Sequence, residues 1–209
     1  MPKQTKTITF IRHGQSLANA GGITMDHHAI PLTELGVNQA KHLADSLAFE
    51  PSAFFVSELI RTHQTATPFC DKYSIQPTVH PLLNELSCID PQLIQGMDGK
   101  QRRPIADAYW QEADPHKRLG ENADTFAEFA QRVDYFLLEL DTLPDRSVLF
   151  GHGIWFGMLV WKVLGFSTNT SQDMKAFRRF QLGFPMPNCA VYCLESSNLG
   201  FWNVRAKAL

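Results

Sequence analysis

Cysteine is scarce, with four residues in a chain of 209, and the four do not make a zinc-ligand set. Cys189 and Cys193 are four apart, but Cys70 and Cys88 stand alone and no second close pair completes a tetrahedral site. Free thiols packed as small core residues are the reading that follows. An excess of one charge is also lacking. Nineteen Lys and Arg stand against 21 Asp and Glu, a formal net charge of −2. That balance gives no electrostatic basis for gripping nucleic acid or an anionic membrane, so phosphate recognition must come from a few focused cations. No run approaches the roughly 18 apolar residues that a bilayer span needs. The richest stretch, 154–166, is interrupted by Lys162. The opening residues, MPKQTKTITFI, lack the long apolar core and small-residue cleavage site of a secretory signal, and a cytoplasmic location is expected. No internal repeat and no low-complexity linker interrupts the chain, and nothing in it sets an oligomeric state.

What is there reads as globular: 44% hydrophobic and 19% charged residues. The length suits a single domain over 1–209, long enough to bury a core without disulfides or a structural metal. Three short β-rich runs, 7–11 (TITFI), 53–57 (AFFVS) and 147–151 (SVLFG), have the composition of strands buried on both faces. Helical spacing fills the gaps. The stretch 32–49 places Leu35, Gln39, Leu43 and Leu47 on one side, and 58–73 follows the second strand directly. The stretch 122–140 carries a stripe of Phe126, Phe129, Val133, Phe136, Leu137 and Leu140. Two further strands are expected at 190–194 and 201–204, around a turn at 196–200. Strand alternating with helix predicts an α/β fold, a mostly parallel central sheet with helices on both faces. The stretch 87–122, broken by Pro91, Gly96, Gly99, Pro104, Pro115 and Gly120, is expected as an irregular insertion over the site.

In open α/β sheets, ligands bind at the carboxyl ends of strands. Two strand candidates end in related tripeptides, Arg12-His13-Gly14 and Gly151-His152-Gly153, so two imidazoles are expected to face one cavity. A glycine beside each lets the backbone turn sharply and approach a ligand. The second strand leads to Arg61 in the first turn of the next helix. Two arginines and two histidines at strand ends describe a pocket for a dianion.

The pattern resembles the histidine phosphatase superfamily, the phosphoglycerate-mutase-like phosphatases, over nearly the whole chain. FIRHGQSLAN contains the Arg-His-Gly signature, SELIRTHQTA is similar to the second arginine motif, and LTELGVNQA to the Leu-Thr-x-x-Gly-x-x-Gln-Ala helix. LLNEL places Glu85 where the family keeps its acid, and FGHG supplies the second histidine. The resemblance implies a three-layer sandwich and a phosphomonoesterase of small phosphorylated substrates, acting through a phosphohistidine on His13 with no cofactor or metal. Arg12, Asn19, Arg61 and His152 would bind phosphate, and Glu85 would move the leaving-group proton. Two departures stand out. Gln15-Ser16 replaces the common Glu-Ser, and LSCIDPQLIQGMDG follows Glu85 where family phosphatases commonly carry Gly-x-Trp-x-Gly.

The chemistry explains why these residue types occur together. Guanidinium groups stay charged and their planar forks match phosphate oxygens. Two of them beside His13 disfavour imidazolium and keep a nitrogen lone pair ready to attack phosphorus. His152 suits a donor to the phosphoryl oxygens, and a carboxyl at Glu85 suits general acid and base work. Other features keep two readings. Lys100, Arg102 and Arg103 form either a solvated basic face or a clamp for a second anionic group, and Lys175, Arg178 and Arg179 pose the same question. Tyr109, Trp110, Trp155 and Phe156 form a leaving-group wall or plain core. His27 and His28 are placed on the rim, while the histidine spacing gives no metal motif. Two functions compete with hydrolysis: phosphoglycerate mutase-type transfer, and a non-catalytic phospho-ligand sensor.

Overall fold

The computed structural model describes residues 5–197 and 200–207. Its strands are β1 (Thr7–Arg12), β2 (Ala53–Val56), β3 (Pro77–Val79), β4 (Ser147–Gly151), β5 (Val191–Ser196) and β6 (Trp202–Ala206). They form one sheet in the order β3-β2-β4-β1-β5-β6. The first four run parallel, while β5 lies antiparallel to β1 and β6 antiparallel to β5. The mixed α/β architecture is the expected one. Of the expected turn at 196–200, residues 198 and 199 lie outside the described residues.

The strands are apolar on both faces because both faces are covered. Along β4, Val148 and Phe150 join Ile11, Phe54 and Val56 on one side, and Leu149 joins Ile8 and Phe10 on the other. The first side packs against α1 (Glu34–Ser46) and α2 (Ile60–Tyr73) through Leu43, Ala44, Ala66 and Phe69. The second side is covered by α4 (Phe126–Leu140), α5 (Gly153–Val163) and α6 (Ser171–Gly183), and α3 (Gly99–Glu112) adds Tyr109 and Trp110 to the same core. Phe126, Phe129, Val133 and Phe136 of α4 are fully buried there, at the period read from the sequence. On α1 the stripe is rotated: Leu35 is 53% exposed, and Gly36, Ala40, Leu43 and Ala44 face the sheet. Gly36 turns inward because it packs against the loop after β1, as described below.

The insertion is less irregular than its composition implies. Within 87–122, helix α3 runs for 14 residues. Asp98 accepts from the Lys100 and Gln101 amides while Gln101 reaches back to the Asp98 amide, a reciprocal cap that starts the helix despite the flanking glycines. Pro104, in the second turn, removes one intrahelical donor and is tolerated there. β3 went unread because it is three residues long with two of them exposed. Helices α5 and α6 also went unread. α5 is apolar nearly all round because it is buried nearly all round, which leaves no polar face to reveal its period.

Candidate active site

Parallel pairing of β1 with β4 sets Arg12 opposite Gly151, so the residues that follow leave the sheet side by side. The His13 amide donates to the Gly151 carbonyl at 3.0 Å, and the two imidazole rings lie 5.2 Å apart at 60°. β2, next to β4, delivers Arg61 through the start of α2, and the 3-10 turn after β3 (Pro81–Leu83) delivers Glu85. Arg12, His13, Asn19, Arg61 and Glu85 line a single cavity of about 470 Å³ at the carboxyl ends of the strands. His152 is fully buried against His13 and does not itself line that cavity.

Each charge state has a physical cause. The Nδ1 of His13 is 2.7 Å from the Gly14 carbonyl, an acceptor, so the proton of the neutral ring sits on Nδ1 and Nε2 keeps its lone pair. Burial, then Arg61 and Arg12, hold its pKa well below the usual histidine value. His152 is held well below it too, by burial and then by Arg61 and His13. The Arg61 guanidinium, 5% exposed, is brought down to about 10 mainly by burial, with Glu85 opposing, and stays cationic at neutral pH. Its Nη1 donates to the His27 carbonyl at 3.1 Å. Arg12 donates through Nη1 to the Met186 carbonyl. Three buried polar atoms here have no partner among the described residues: Arg12 Nε, His152 Nδ1 and His27 Nε2. Buried polar groups are normally satisfied, so their clustering is informative.

Glu85 sits on the N-terminus of α5. Its Oε2 accepts from the Ile154 amide at 2.9 Å, and Oε1 accepts from the Trp155 and Leu86 amides at 2.9 and 3.0 Å. Burial raises its pKa, while those three amides and Arg61 pull the other way, and the net direction is up. With two bonds on Oε1 and one on Oε2, the free lone pair is on Oε2.

Most of the remaining motif residues brace the site. A Cβ on Gly14 would lie 2.4 Å from the Gly36 carbonyl oxygen, and one on Gly36 would lie 2.1 Å from that of Gln15. The glycine after His13 thus serves a backbone-to-backbone contact with α1, where close approach to a ligand was expected. Gln39 accepts from the Gln15 amide at 2.9 Å, Thr65 accepts from the Gly14 amide at 3.1 Å, and Gln64 accepts from the Leu32 amide at 2.7 Å. Asn19 Oδ1 accepts from Ser16 and from Asn188 Nδ2, at 3.3 and 3.0 Å.

The basic cluster divides. Arg102 lines the cavity, but its Nη1 donates to the Gly22 carbonyl at 2.7 Å and to Thr24 Oγ1 at 3.2 Å, and its Nη2 to the Ala18 carbonyl at 3.1 Å. It ties the loop after His13 to α3. Arg103 faces Asp107 at 3.6 Å on an exposed surface, and neither it nor Lys100 lines the cavity. The guanidinium of Arg178 stacks over Trp110, 4.6 Å from the ring centre. Tyr109, Trp110, Trp155 and Phe156 are core, and the cavity is walled by other residues. His27 lines the cavity, with its pKa pushed down to about 3 by burial, then Arg61 and His28, whereas exposed His28 borders a neighbouring hollow. Sequence reasoning missed Ser57, 2.8 Å from His152 Nε2, and Asn188, which also donates to the His13 carbonyl at 3.2 Å. Ser57 heads the second arginine motif, so the sequence did carry a signal for it. Asn188 carried none.

Comparison with known proteins identifies the family and the fold. The family model described as the histidine phosphatase superfamily (branch 1) matches residues 8–207. The chain is 32% identical over 160 residues to the adenosylcobalamin/alpha-ribazole phosphatase of Salmonella typhimurium, covering 75% of this chain and 79% of that one. It is 28% identical over 178 residues to a probable phosphoglycerate mutase of Photorhabdus laumondii, covering 80% and 79%. The crystal structure of a putative alpha-ribazole-5'-P phosphatase from Escherichia coli superposes with a TM-score of 0.75 at 21% identity, over 99% of this chain and 97% of that one, a likeness of fold.

Proposed function

The chain belongs to the histidine phosphatase superfamily, branch 1, and we propose that it is a phosphoric monoester hydrolase that passes a phosphoryl group through His13 to water without a metal ion. The observation that carries this reading is the state of His13: a buried neutral imidazole, Nδ1 engaged by a carbonyl, Nε2 free, beside the buried Arg61 and half-buried Arg12 guanidinium groups.

Arg12 and Arg61 bind the nonbridging oxygens and offset charge as the phosphoryl group moves. His13 Nε2 forms the new bond to phosphorus as the bond to the ester oxygen breaks. The departing alkoxide takes a proton from Glu85 Oε2, the oxygen with a free lone pair. His152, behind His13 and outside the cavity lining, donates through its unpartnered Nδ1 once the phosphoryl group is seated on His13, and Asn19 adds its amide. In the second half, water attacks phosphorus, its proton returns to Glu85, and His13 leaves as neutral imidazole with inorganic phosphate as product. Splitting one displacement into two is the advantage of the covalent intermediate.

Phosphoglycerate mutase-type transfer has a relative in its favour, the Photorhabdus protein named as a probable mutase. It also needs a cation for the substrate carboxylate, and the nearest candidate, Arg102, is already bonded to backbone carbonyls. A phospho-ligand sensor would not need a nucleophile with a free nitrogen. The test is a panel of phosphomonoesters and 3-phosphoglycerate, assayed with chelator present, for wild type and His13→Ala. Phosphate release that survives chelator and disappears in the variant, with acid-labile label trapped on wild type, is the expected result. Isomerisation without phosphate release would establish the mutase. Binding with neither turnover nor label would establish the sensor. The proposal includes a cytoplasmic location, in keeping with four unpaired thiols, and cell fractionation checks it.

A further inference from the structure

The cavity is much larger than a phosphate group needs, and its walls change character away from the strand ends. Near β1 and α2 it is lined by Arg12, His13 and Arg61. Beyond them the lining is dominated by Met25, Ile89, Ile94, Ile154, Leu182 and Phe184, with Thr24, His27, Arg102 and Gln181 among them. These come from four separate parts of the chain: the loop after β1, the segment before α3, the start of α5 and the end of α6. The apolar wall is therefore built by the tertiary fold, with no single amphipathic element responsible.

Among the described residues the further cation in the lining is Arg102, tied to the Gly22 and Ala18 carbonyls and to Thr24. Its donors hold loop to helix and do not project toward a ligand. His27 is the polar side chain there with an unpartnered buried nitrogen. Burial beside Arg61 keeps it neutral, so it offers a hydrogen bond but no charge. A carboxylate or second phosphate placed against these walls would lose water and gain no counter-ion, the costly case for a charge. An aromatic or aliphatic group would lose water at a gain. Cavities of this size lined this way are those that enclose most of a small organic ligand.

Resting on the hydrolase reading, we infer that the enzyme selects phosphomonoesters of bulky, uncharged, largely apolar alcohols and discriminates against alcohols that carry a second acid group. Specificity then resides in the leaving-group half of the cavity, with Met25, Ile89, Ile94 and Leu182 as the determining surface and His27, Thr24 and Gln181 as its neutral polar contacts.

The test uses primary alkyl esters of matched chemical reactivity: ethyl phosphate, 4-phenylbutyl phosphate and the para-carboxylate of the latter. Expected kcat/KM for 4-phenylbutyl phosphate exceeds that for each of the other two by roughly tenfold or more, with the carboxylate penalty falling mainly on KM. Leu182 is 67% exposed and Met25 39% exposed, so Leu182→Arg and Met25→Arg are placed where a charged side chain reaches water without disturbing the core. Either change is expected to shrink the gap between the neutral and carboxylate esters severalfold. If the carboxylate ester is hydrolysed as well as the neutral one, or all three esters are equivalent, the inference falls while the hydrolase reading stands. Discrimination unchanged in both variants also overturns it. If no ester is hydrolysed and no phosphohistidine forms, both fall together.

Discussion

Ser57 Oγ lies 2.8 Å from His152 Nε2, in a buried chain of hydroxyls at the end of β2. The Leu59 amide donates to the same Oγ at 3.2 Å, and Thr62 Oγ1 donates to the Leu59 carbonyl at 2.9 Å. Thr62 Oγ1 is the other neighbour of this Oγ, at 3.0 Å, and a phosphoryl oxygen accepting from Nδ1 would select the arrangement in which the Ser57 hydroxyl gives its proton to Nε2. The imidazole proton then sits on Nδ1, the nitrogen with no partner. In the proposed mechanism Ser57 would thus position His152 as a donor toward the phosphoryl group. Ser57→Ala is expected to lower kcat by about 10- to 100-fold, the scale of losing part of one preorganised donor. Ser57→Thr, which keeps the hydroxyl, should recover most of it. A merely structural serine would show a lower Tm with kcat intact.

Glu85→Gln separates proton transfer from phosphate binding. The expected loss in kcat for an alkyl ester is about 10²–10⁴-fold. For 4-nitrophenyl phosphate, whose leaving group needs no proton, phosphohistidine formation should be far less affected, as read by burst kinetics. Equal losses for both esters would remove Glu85 from the role of acid. The glutamine also turns an NH₂ toward amides that now find an oxygen, so a modest fall in Tm should accompany the change.

Acid should destabilise the fold before it protonates most carboxylates. His13, His27 and His152 are all held below the unfolded value of 6.5, chiefly by burial, and His27 lies at about 3. Below pH 6.5 the unfolded chain binds protons that the folded chain does not. Their contribution is therefore complete above 6.5 and is lost as pH falls toward the folded values. Glu85, raised above 4.5, acts in the opposite sense and offsets part of the loss near its own range. Thermal melts between pH 7.5 and 5 should show Tm falling with acid, and His27→Asn should flatten the slope. A flat wild-type profile would contradict buried neutral imidazoles.

Gly36→Ala tests the brace from outside the cavity. Its Cβ would meet the Gln15 carbonyl oxygen at 2.1 Å, and backbone on both sides leaves nothing soft to yield. The expected cost is about 1–3 kcal/mol, the range for overpacking, together with displacement of the loop that carries His13. Both Tm and kcat/KM should fall. A variant with lowered Tm but native kcat/KM would show that the loop tolerates the shift.

The strands and the candidate nucleophile were readable because each is written in consecutive residues. TITFI and SVLFG are short apolar runs, and Arg-His-Gly and Gly-His-Gly follow them directly. β3 was too short to signal, and α5 carries no polar face by which its period could be seen. Helix α3 was hidden by Gly96, Gly99 and Pro104, although the Asp98 and Gln101 of its cap were legible as a start signal.

By itself the sequence determined the layered α/β arrangement and the strand ends at which the candidate side chains gather. These follow from local pattern: period, composition and adjacency. Tertiary structure alone decided what each of those groups is free to do. Arg102 was a candidate anion clamp until its donors met the Gly22 and Ala18 carbonyls and the Thr24 hydroxyl, and Glu85 was an unplaced acid until it met the amides of α5. A hydrogen-bonding group has few donors and lone pairs, and long-range contacts determine which of them are already spent.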